Sequence, residues 1–296
     1  MFSQTSYTDQ ITFFQKIRSI DYILLVSILL VGIISGFSMY STDGGELLYH
    51  SKSHILRFGT FFLMMIFLSF INIKFWHSVG YIFYIIILAL LLWASIYGIT
   101  ASGSQRWVSL YFINIQPSEL MKIAIIICLE KYYNRSQLSD IGSFKNLLIK
   151  IIILVLPILL VVTQPDLGTS ILIAVSGLIV LWLAGLNIKY FIYSSLTLII
   201  SMPFIISFLK PYQKLRILTF FKPDKDPLGA GYQIIQSKIA VGSGGLYGKG
   251  YLKGTQSYLE FLPEKHTDFI FTLYSEEYGF IGSIFLLLLY AIIIFR

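Results

Sequence analysis

Long apolar blocks separated by short polar segments constrain this chain more than any other feature of its sequence. Most blocks contain about eighteen to twenty residues, the length that an α-helix needs to cross the hydrocarbon core of a bilayer. The blocks are Tyr22–Tyr40, Ile55–Ile73, Val79–Ile99, Pro117–Leu129, Leu147–Val162, Leu167–Leu186, Tyr190–Leu209 and Phe269–Phe295. An ordinary soluble domain is excluded, because 56% of the residues are hydrophobic and only 12% are charged. The sequence therefore predicts an all-α membrane protein, a polytopic bundle of about eight transmembrane helices.

The lysine and arginine residues of the short loops predict the orientation of this bundle, since cytoplasmic loops carry an excess of both residues. With the N-terminus in the cytoplasm, the inner side would hold Lys16, Arg18, Lys74, Lys131, Arg135, Lys145, Lys150, Lys189 and Arg296. The outer short loops would hold only Lys52, Arg57 and Arg106. We expect one membrane domain over residues 1–296, with a cytoplasmic segment at 1–19 and a large extracytoplasmic loop at 210–267.

The predicted outer loop is basic, with nine lysine or arginine residues against four acidic ones. This surplus suggests an anionic ligand outside the membrane, although a solvated loop beside lipid headgroups explains it equally well. Within the loop, Tyr232–Ala240 is predicted to form a short amphipathic helix on the membrane surface. The glycine-rich segment Val241–Gly250 lacks the spacing of a nucleotide phosphate loop. We interpret it as a tight turn, or as a turn whose amides approach an anion.

Polar side chains interrupt the apolar sequence at three further places. Glu119 and Lys122 lie one helical turn apart, where they form a helix-locking ion pair or a source of polarity in a central cavity. Asp166 precedes a helix that begins at Leu167, and serves either as its N-cap or as a functional acid on the outer side. Arg106 lies in the second outer loop, where it either binds a phosphate group or remains an exposed loop residue.

Charge is densest in Leu259–Phe271, just before the last apolar block. A helix is predicted to start near Thr267, because Pro263 limits any helix upstream. One face of this helix would then carry a polar stripe of Asp268, Thr272, Glu276 and Gly279. Asp268 is a candidate proton acceptor, or else a helix N-terminal carboxylate without chemistry. His266 is the rival base, and the histidines of the chain show no spacing that predicts a metal site.

At these residues the sequence resembles the SEDS family (shape, elongation, division and sporulation), membrane proteins that polymerise bacterial peptidoglycan. The matching segments are Gln116–Lys122, Gln164–Ser170, Pro227–Gly250 and Leu262–Phe271 with Glu276 and Glu277. Gly254–Ser257 is more similar to the rod-shape branch of the family, RodA, than to the division branch, FtsW. The resemblance implies a glycosyltransferase that polymerises lipid II on the outer face of the plasma membrane during cell elongation and cell-shape maintenance.

The resemblance also implies roles for individual residues. The key aspartate of the family falls on Asp268, which would activate the 4-hydroxyl group of the incoming lipid II. Binding and supporting roles would fall to Glu119, Lys122, Asp166, Arg106, Lys249, Lys265, His266 and Glu276. The basic residues of this set would steady the departing pyrophosphate.

The expected partners are a class B penicillin-binding protein and other elongation-complex membrane proteins, and no nucleic acid. A divalent cation, Mg or Mn, fits the behaviour of the family at the pyrophosphate, but no ligand set in the sequence demands one. The family has ten spans, so our hypothesis is that this chain is C-terminally truncated, lacks the last two and is inactive as it stands. Two other functions stay open: a flippase for lipid-linked precursors and a non-catalytic scaffold for a cell-wall synthase.

Overall fold

The computed structural model describes residues 13–101, 104–109, 114–135, 144–227, 229, 231–255 and 264–296. The helices are α1 (Phe13–Arg18), α2 (Tyr22–Thr42), α3 (Tyr49–Ser69), α4 (Ile73–Tyr97), α5 (Pro117–Arg135), α6 (Phe144–Thr163), α7 (Leu167–Leu183), α8 (Ile188–Phe208), α9 (Pro211–Phe221), α10 (Tyr232–Ser243) and α11 (Ile270–Phe295). A short 3-10 helix occupies Pro223–Lys225. Three strands, β1 (Ile99–Ala101), β2 (Ser104–Ser109) and β3 (Asn114–Ile115), lie between α4 and α5 in the chain.

Most of every predicted apolar block lies in a helix, which confirms the all-α architecture, but the block Ile55–Ile73 extends past the end of α3 and the block Val79–Ile99 ends in β1. Within the described residues α2, α4 and α11 are long and apolar enough to cross a membrane. Helices α6, α7 and α8 contain shorter apolar stretches, at Leu148–Thr163, Leu167–Leu183 and Ile188–Phe204. The helix predicted at Tyr232–Ala240 is also present, as α10.

The chain divides into two compact units, one formed by residues 1–70 with 205–296 and the other by residues 71–204. In the unit of residues 71–204, α5 packs against α4 and α7, and α6 packs against α7. Its core includes the fully buried side chains of Leu91, Met121, Ile125, Leu129 and Ile173. A Cβ atom at Gly177 would lie 2.4 Å from Leu154 Cδ1, so glycine is what permits this close approach. Small residues at such contacts favour helix association in lipid, where no hydrophobic force between helices operates.

The three strands form a small antiparallel sheet in the order β1-β2-β3 within the same unit. Thr100 lies opposite Gln105, and Val108 lies opposite Ile115. Strand β2 contacts α4 and α5. The sequence analysis placed Arg106 in a loop, whereas the residue lies on β2. Strands this short carry too few residues for an alternating pattern to be recognised.

In the other unit α2 packs against α3 and α11, and α10 packs against α11. The buried face of α2 carries the small residues Ser27, Gly32, Ser38 and Ser41, which allow its neighbours to approach closely. Helix α11 is interrupted at Gly279, where φ is 65° and ψ is −162°. Such a conformation is open to glycine and strained for other residues, so this position fixes a break inside an otherwise apolar helix.

Candidate functional site

Asp268 lies in a turn that leads into α11. The amides of Thr267 and Phe269 both donate to the carbonyl oxygen of Glu264, at 3.2 and 3.3 Å, and close this turn. Helix α11 therefore begins at Ile270, so the predicted start near Thr267 was three residues early. The turn places Asp268 just outside the helix.

The side chain of Asp268 is exposed, and no residue in the described part of the chain hydrogen-bonds to it. The residue at the N-cap of α11 is Phe269, and this end of the helix has no side-chain capping bond. The sequence left open whether Asp268 is a helix cap or a reacting group. Its geometry gives no support to the cap, and its carboxylate is accessible to a ligand.

The glycine-rich turn is bound to the break in α11 through its backbone. The amide of Lys249 donates to the carbonyl oxygen of Glu276 at 2.9 Å, and the amide of Gly250 donates to that of Glu277 at 3.0 Å. At Gly248, a Cβ atom would lie 2.1 Å from the Glu277 carbonyl oxygen. The turn is glycine-rich because two backbones meet here, and these amides bind carbonyl groups rather than an anion. This supports the tight-turn interpretation.

The side chain of Glu276 anchors the same turn. It is fully buried, and its Oε1 accepts hydrogen bonds from Lys249 Nζ at 2.6 Å and from the amide and hydroxyl of Thr255, both at 2.9 Å. The predicted polar stripe is confirmed in part: Thr272 and Glu276 lie on α11, whereas Asp268 precedes the helix. Glu276 is covered by the turn, and the helix breaks at Gly279.

Glu277 ties the end of α2 to α11, a connection that the sequence did not predict. Its Oε1 accepts from the hydroxyl of Ser41 and from the amide of Leu252 at 3.1 Å. Its Oε2 is buried without a hydrogen-bond partner among the described residues. The contact joins positions 236 residues apart, so no local pattern could have indicated it.

His266 lies in the turn with Asp268 and is held by the residues that end α2. Its Nδ1 lies 2.9 Å from Thr42 Oγ1 and 3.9 Å from Asp43 Oδ1, and its ring stacks on His50 with centroids 4.0 Å apart. Burial lowers the pKa of His266 below its usual range, and the charge of His50 lowers it further, while Asp43 raises it. The structure thus makes His266 a neutral imidazole in a defined orientation near neutral pH.

Lys265 directly precedes His266 in the turn and is partly buried. Its positive charge also lowers the pKa of His266, although burial, His50 and Asp43 have larger effects on that pKa. Lys265 therefore brings a cation to the turn that contains Asp268.

In the unit of residues 71–204, Asp166 is surrounded by hydrogen-bond donors. Its Oδ1 accepts from the amide of Thr169 at 3.2 Å, which confirms the predicted cap of α7. Its Oδ2 accepts from Arg106 Nη1 at 2.9 Å, Gln116 Nε2 at 3.1 Å and Thr169 Oγ1 at 2.9 Å. Burial raises the pKa of Asp166, but the bonds from Thr169 and Arg106 outweigh it and hold that pKa below its usual range. Asp166 and Arg106 thus join β2 to the start of α7.

The ion pair predicted in α5 is present. Lys122 Nζ lies 2.9 Å from Glu119 Oε2, and 54% of the Glu119 side chain is exposed. An accessible pair of this kind locks one helical turn and leaves oxygen and nitrogen atoms open to a polar neighbour.

An apolar groove of about 690 Å³ runs between α2 and α3 and is also lined by Tyr251. Gly32, Gly36 and Gly59 lie along it, the Phe58 ring packs against Gly32, and Tyr251 donates a hydrogen bond to the carbonyl oxygen of Phe37 at 3.2 Å. This groove was not predicted from the sequence. The available signal was the spacing of Gly32 and Gly36, four residues apart on one face of a predicted span.

Among the side chains that the structure describes, no three His, Cys, Asp or Glu residues are grouped so that they could hold a metal ion.

Comparisons with known proteins identify relatives over nearly the whole chain. The model of the FtsW/RodA/SpoVE cell cycle proteins matches residues 16–296. The peptidoglycan glycosyltransferase MrdB of Escherichia coli (strain K12) is 40% identical over 287 residues, which cover 96% of this chain and 76% of that protein. The stage V sporulation protein E of Bacillus subtilis (strain 168) is 34% identical over 292 residues, covering 95% of this chain and 79% of that protein.

Solved structures show the same fold. A chain from a peptidoglycan synthase complex, described as coordinating polymerization and crosslinking, matches with a TM-score of 0.76 and 22% identity, over 94% of this chain and 77% of that one. The rod shape determining protein RodA of Thermus thermophilus matches with a TM-score of 0.64 and 19% identity, over 94% of this chain and 74% of that one.

Proposed function

This chain belongs to the FtsW/RodA/SpoVE family of cell cycle proteins, and from that premise we propose that it is a peptidoglycan glycosyltransferase that polymerises lipid II. The observation that carries the proposal is the 40% identity, over 96% of the chain, to a relative named as that enzyme. We place it in the rod-shape branch, and hence in cell elongation and shape maintenance, on Gly254–Ser257 and on the same relative. In the reaction, the strand held on undecaprenyl pyrophosphate is the donor and a hydroxyl group of incoming lipid II is the acceptor.

Asp268 is the residue that we assign to the acceptor hydroxyl. As the hydroxyl oxygen bonds to the anomeric carbon of the donor, the bond from that carbon to pyrophosphate breaks and its electron pair leaves with the pyrophosphate. The carboxylate takes the proton that the hydroxyl loses. Two observations support this role: the side chain is exposed, and no capping bond occupies it. A substrate that covers the turn would exclude water and make the carboxylate a stronger base.

The pyrophosphate that leaves requires positive charge, and we assign this to basic residues of the outer loop. Lys265 is the strongest candidate, since it lies three residues before Asp268 in the same turn. Lys249 has a mainly structural role, because its ammonium group is 2.6 Å from the buried Glu276. The remaining lysines of the loop would attract an anionic substrate at longer range.

A lipid carrier needs an apolar surface, and the groove between α2 and α3 supports this part of the proposal. Its volume of about 690 Å³ and its lining of aliphatic and aromatic side chains suit a hydrocarbon chain. The groove and the turn that contains Asp268 belong to the same compact unit. The hydroxyl of Tyr251 at its edge is uncharged near neutral pH, and burial raises its pKa further, to about 12.

The polar groups of residues 71–204 are proposed to support the enzyme through their own contacts. Asp166 and Arg106 hold β2 against the start of α7. Glu119 and Lys122 offer charge on an accessible face of α5. We assign them binding or positioning roles and no proton transfer.

We further propose a location in the bacterial plasma membrane, with the N-terminus in the cytoplasm and the 210–267 loop outside, which is where lipid II is used. The distribution of lysine and arginine over the short loops supports this orientation. A class B penicillin-binding protein is the proposed partner. A related fold in a complex of polymerization and crosslinking supports a partner of this kind.

The test is polymerisation of lipid II by the purified full-length protein, with Asp268→Asn as the variant and Asp224→Asn as the matched control. Asp224 is an exposed carboxylate of the same loop. We expect wild type and Asp224→Asn to make glycan strands, and Asp268→Asn to lose about 10³-fold in rate, as expected for removal of a proton acceptor.

Three results would count against the proposal. Polymer from Asp268→Asn at the wild-type rate removes Asp268 from the mechanism. Transport of lipid II across vesicles without any polymer would indicate a flippase. If a partner synthase is active only when this protein is present, and the complex of the two makes no lipid II polymer, this protein acts as a non-catalytic scaffold.

A further inference from the structure

Thr42 fixes which nitrogen of His266 has a hydrogen atom. Its hydroxyl donates to the carbonyl oxygen of Met39 at 2.7 Å, and a threonine hydroxyl has only one hydrogen to donate. While the hydroxyl donates to Met39, the Thr42 oxygen accepts from His266 Nδ1, which lies 2.9 Å away. A neutral His266 then carries its hydrogen on Nδ1, and Nε2 keeps a lone pair. No described residue hydrogen-bonds to Nε2.

Asp43 places a fixed negative charge beside the same ring. Only 2% of its side chain is exposed, and its Oδ2 accepts from the amide of Ser51 at 2.8 Å. Its other oxygen, Oδ1, lies 3.9 Å from His266 Nδ1. A buried carboxylate at this distance favours the imidazolium that forms when Nε2 takes up a proton. Thr42 and Asp43 thus orient the ring and prepare it for a positive charge.

His50 covers one face of the ring. The two imidazoles are stacked with their planes 13° apart and their centroids 4.0 Å apart. A ring held on one face by His50 and at Nδ1 by Thr42 has little freedom to rotate, so Nε2 has a defined direction. The rest of its surface remains accessible, since 21% of the His266 side chain is exposed.

We propose that His266 is a second proton acceptor of this site, which takes at Nε2 the proton that Asp268 has received from the acceptor hydroxyl. This proposal rests on the proposed function. The two side chains make no hydrogen bond in this structure, so the proposal requires the bound substrate to bring them into contact. The oxygen–hydrogen bond of the protonated carboxyl then breaks, a nitrogen–hydrogen bond forms at Nε2, and the carboxylate is regenerated. Burial lowers the pKa of His266, but imidazole starts as the more basic group, with an ordinary pKa of about 6.5 against about 3.9 for aspartate, and Asp43 opposes the lowering. The imidazolium releases the proton to water when the product leaves.

The need for a second acceptor follows from the substrate. An exposed carboxylate passes its proton directly to water, but a lipid-linked sugar that covers the turn removes this water. His266 lies two residues away in the same turn, and Asp43 compensates the charge that it gains. Thr42 and Asp43 are positioning residues in this scheme.

The first test measures the tautomer and does not depend on activity. The chain has four histidines, so nitrogen-15 labelling of histidine gives four ring systems, and His266→Gln identifies the one that matters. We expect the Nδ1–H tautomer for His266 near neutral pH, and a mixture of tautomers in Thr42→Val, which keeps the shape and removes the acceptor. An Nε2–H tautomer in the wild type would overturn the proposal.

The second test is the pH dependence of lipid II polymerisation. We expect His266→Gln to lower kcat by about 10²-fold, the lower end of the range for proton acceptors. Thr42→Val should cause a smaller loss in kcat with little change in KM. His77→Gln is the control, since His77 pairs with Glu130 in the other unit and takes no part in this site. A wild-type rate and pH profile in His266→Gln would overturn the proposal.

Substitutions of two neighbours of His266 should shift the acidic limb of the pH profile of polymerisation in opposite directions. The titratable and charged groups that face the ring are Asp43 from the end of α2, His50 from the first turn of α3, and Lys265 and Glu264 from its own turn. Asp43→Asn removes a negative charge and should move the limb to lower pH. His50→Phe keeps a stacked ring, removes a positive charge and should move it to higher pH. Shifts in the same direction would contradict the proposal.

The outcomes separate this inference from the proposed function. If the wild-type protein makes no polymer, the proposed function fails, while the tautomer experiment still reports on His266. If Asp268→Asn abolishes polymerisation and His266→Gln does not affect it, the proposed function stands and His266 is not an acceptor.

Discussion

Asp166 and Asp268 each precede a helix at a break in apolar sequence, and the same two roles were open for both, a cap or a functional acid. The structure separates them. Asp166 accepts bonds from Thr169, Arg106 and Gln116 and is nearly buried. Asp268 is exposed and receives no bond from the described residues. A carboxylate that accepts four hydrogen bonds, as Asp166 does, stabilises a fold, whereas one left accessible can react.

The residue three positions later explains part of this difference. Asp166 is followed by Thr169, whose amide and hydroxyl both reach back to the carboxylate. Asp268 is followed at the same spacing by Phe271, which has no side-chain donor. The three-residue spacing of a helix N-cap therefore distinguishes the two acids at the level of sequence.

The largest effect that tests this comparison is on stability. Asp166→Ala removes a cap and leaves the Arg106 guanidinium without its carboxylate, so we expect the free energy of unfolding to fall by about 2–4 kcal/mol. Asp268→Ala should change it by less than about 0.5 kcal/mol, as for an exposed position without partners. Thermal unfolding of both variants in one detergent measures the difference. Equal destabilisation would mean that Asp268 has structural contacts after all.

The helices of this fold were predictable because their cause is local. An apolar run of the right length must form a helix in lipid, where every backbone amide needs an internal partner. The cap at Asp166 was predictable for the same reason, since donor and acceptor lie within three residues. The sequence alone left the role of Asp268 open, and only the family resemblance predicted that it is the reacting group.

The contacts that shape the candidate site could not be predicted, because they join distant parts of the chain. Thr42 meets His266 across 224 positions, and Ser41 meets Glu277 across 236. Hydropathy and spacing carry no information about such pairs. The break at Gly279 was also missed, because one glycine in a long apolar run is tolerated in membrane helices and predicts nothing by itself.

A smaller effect concerns the pH dependence of stability. Burial raises the pKa of Asp166, but bonds from Thr169 and Arg106 outweigh it, so its folded-state pKa lies below the unfolded value of about 3.9. Its stabilisation is therefore complete above that unfolded value and is lost as the pH falls through the folded one. The difference in Tm between wild type and Asp166→Asn should be constant from pH 7 to about pH 4 and shrink below. The same scan with Asp268→Asn provides the control, and a difference that grows on acidification would contradict the assignment.

The smallest effect concerns a third acid, Glu119, which lies between the two extremes because it has one partner and is exposed. Its ion pair with Lys122 is a single-turn contact, so Glu119→Gln should lower the free energy of unfolding by about 0–1 kcal/mol, less as salt is added. If this variant nevertheless reduces lipid II polymerisation strongly, the charge of Glu119 acts on the substrate or on a partner rather than on its helix. Thermal unfolding and polymerisation measured on the same preparation distinguish these roles, with Lys122→Met as the reciprocal variant. A loss of stability as large as that of Asp166→Ala would show that exposure and the number of hydrogen-bond partners do not determine how much each acid contributes to the free energy of unfolding.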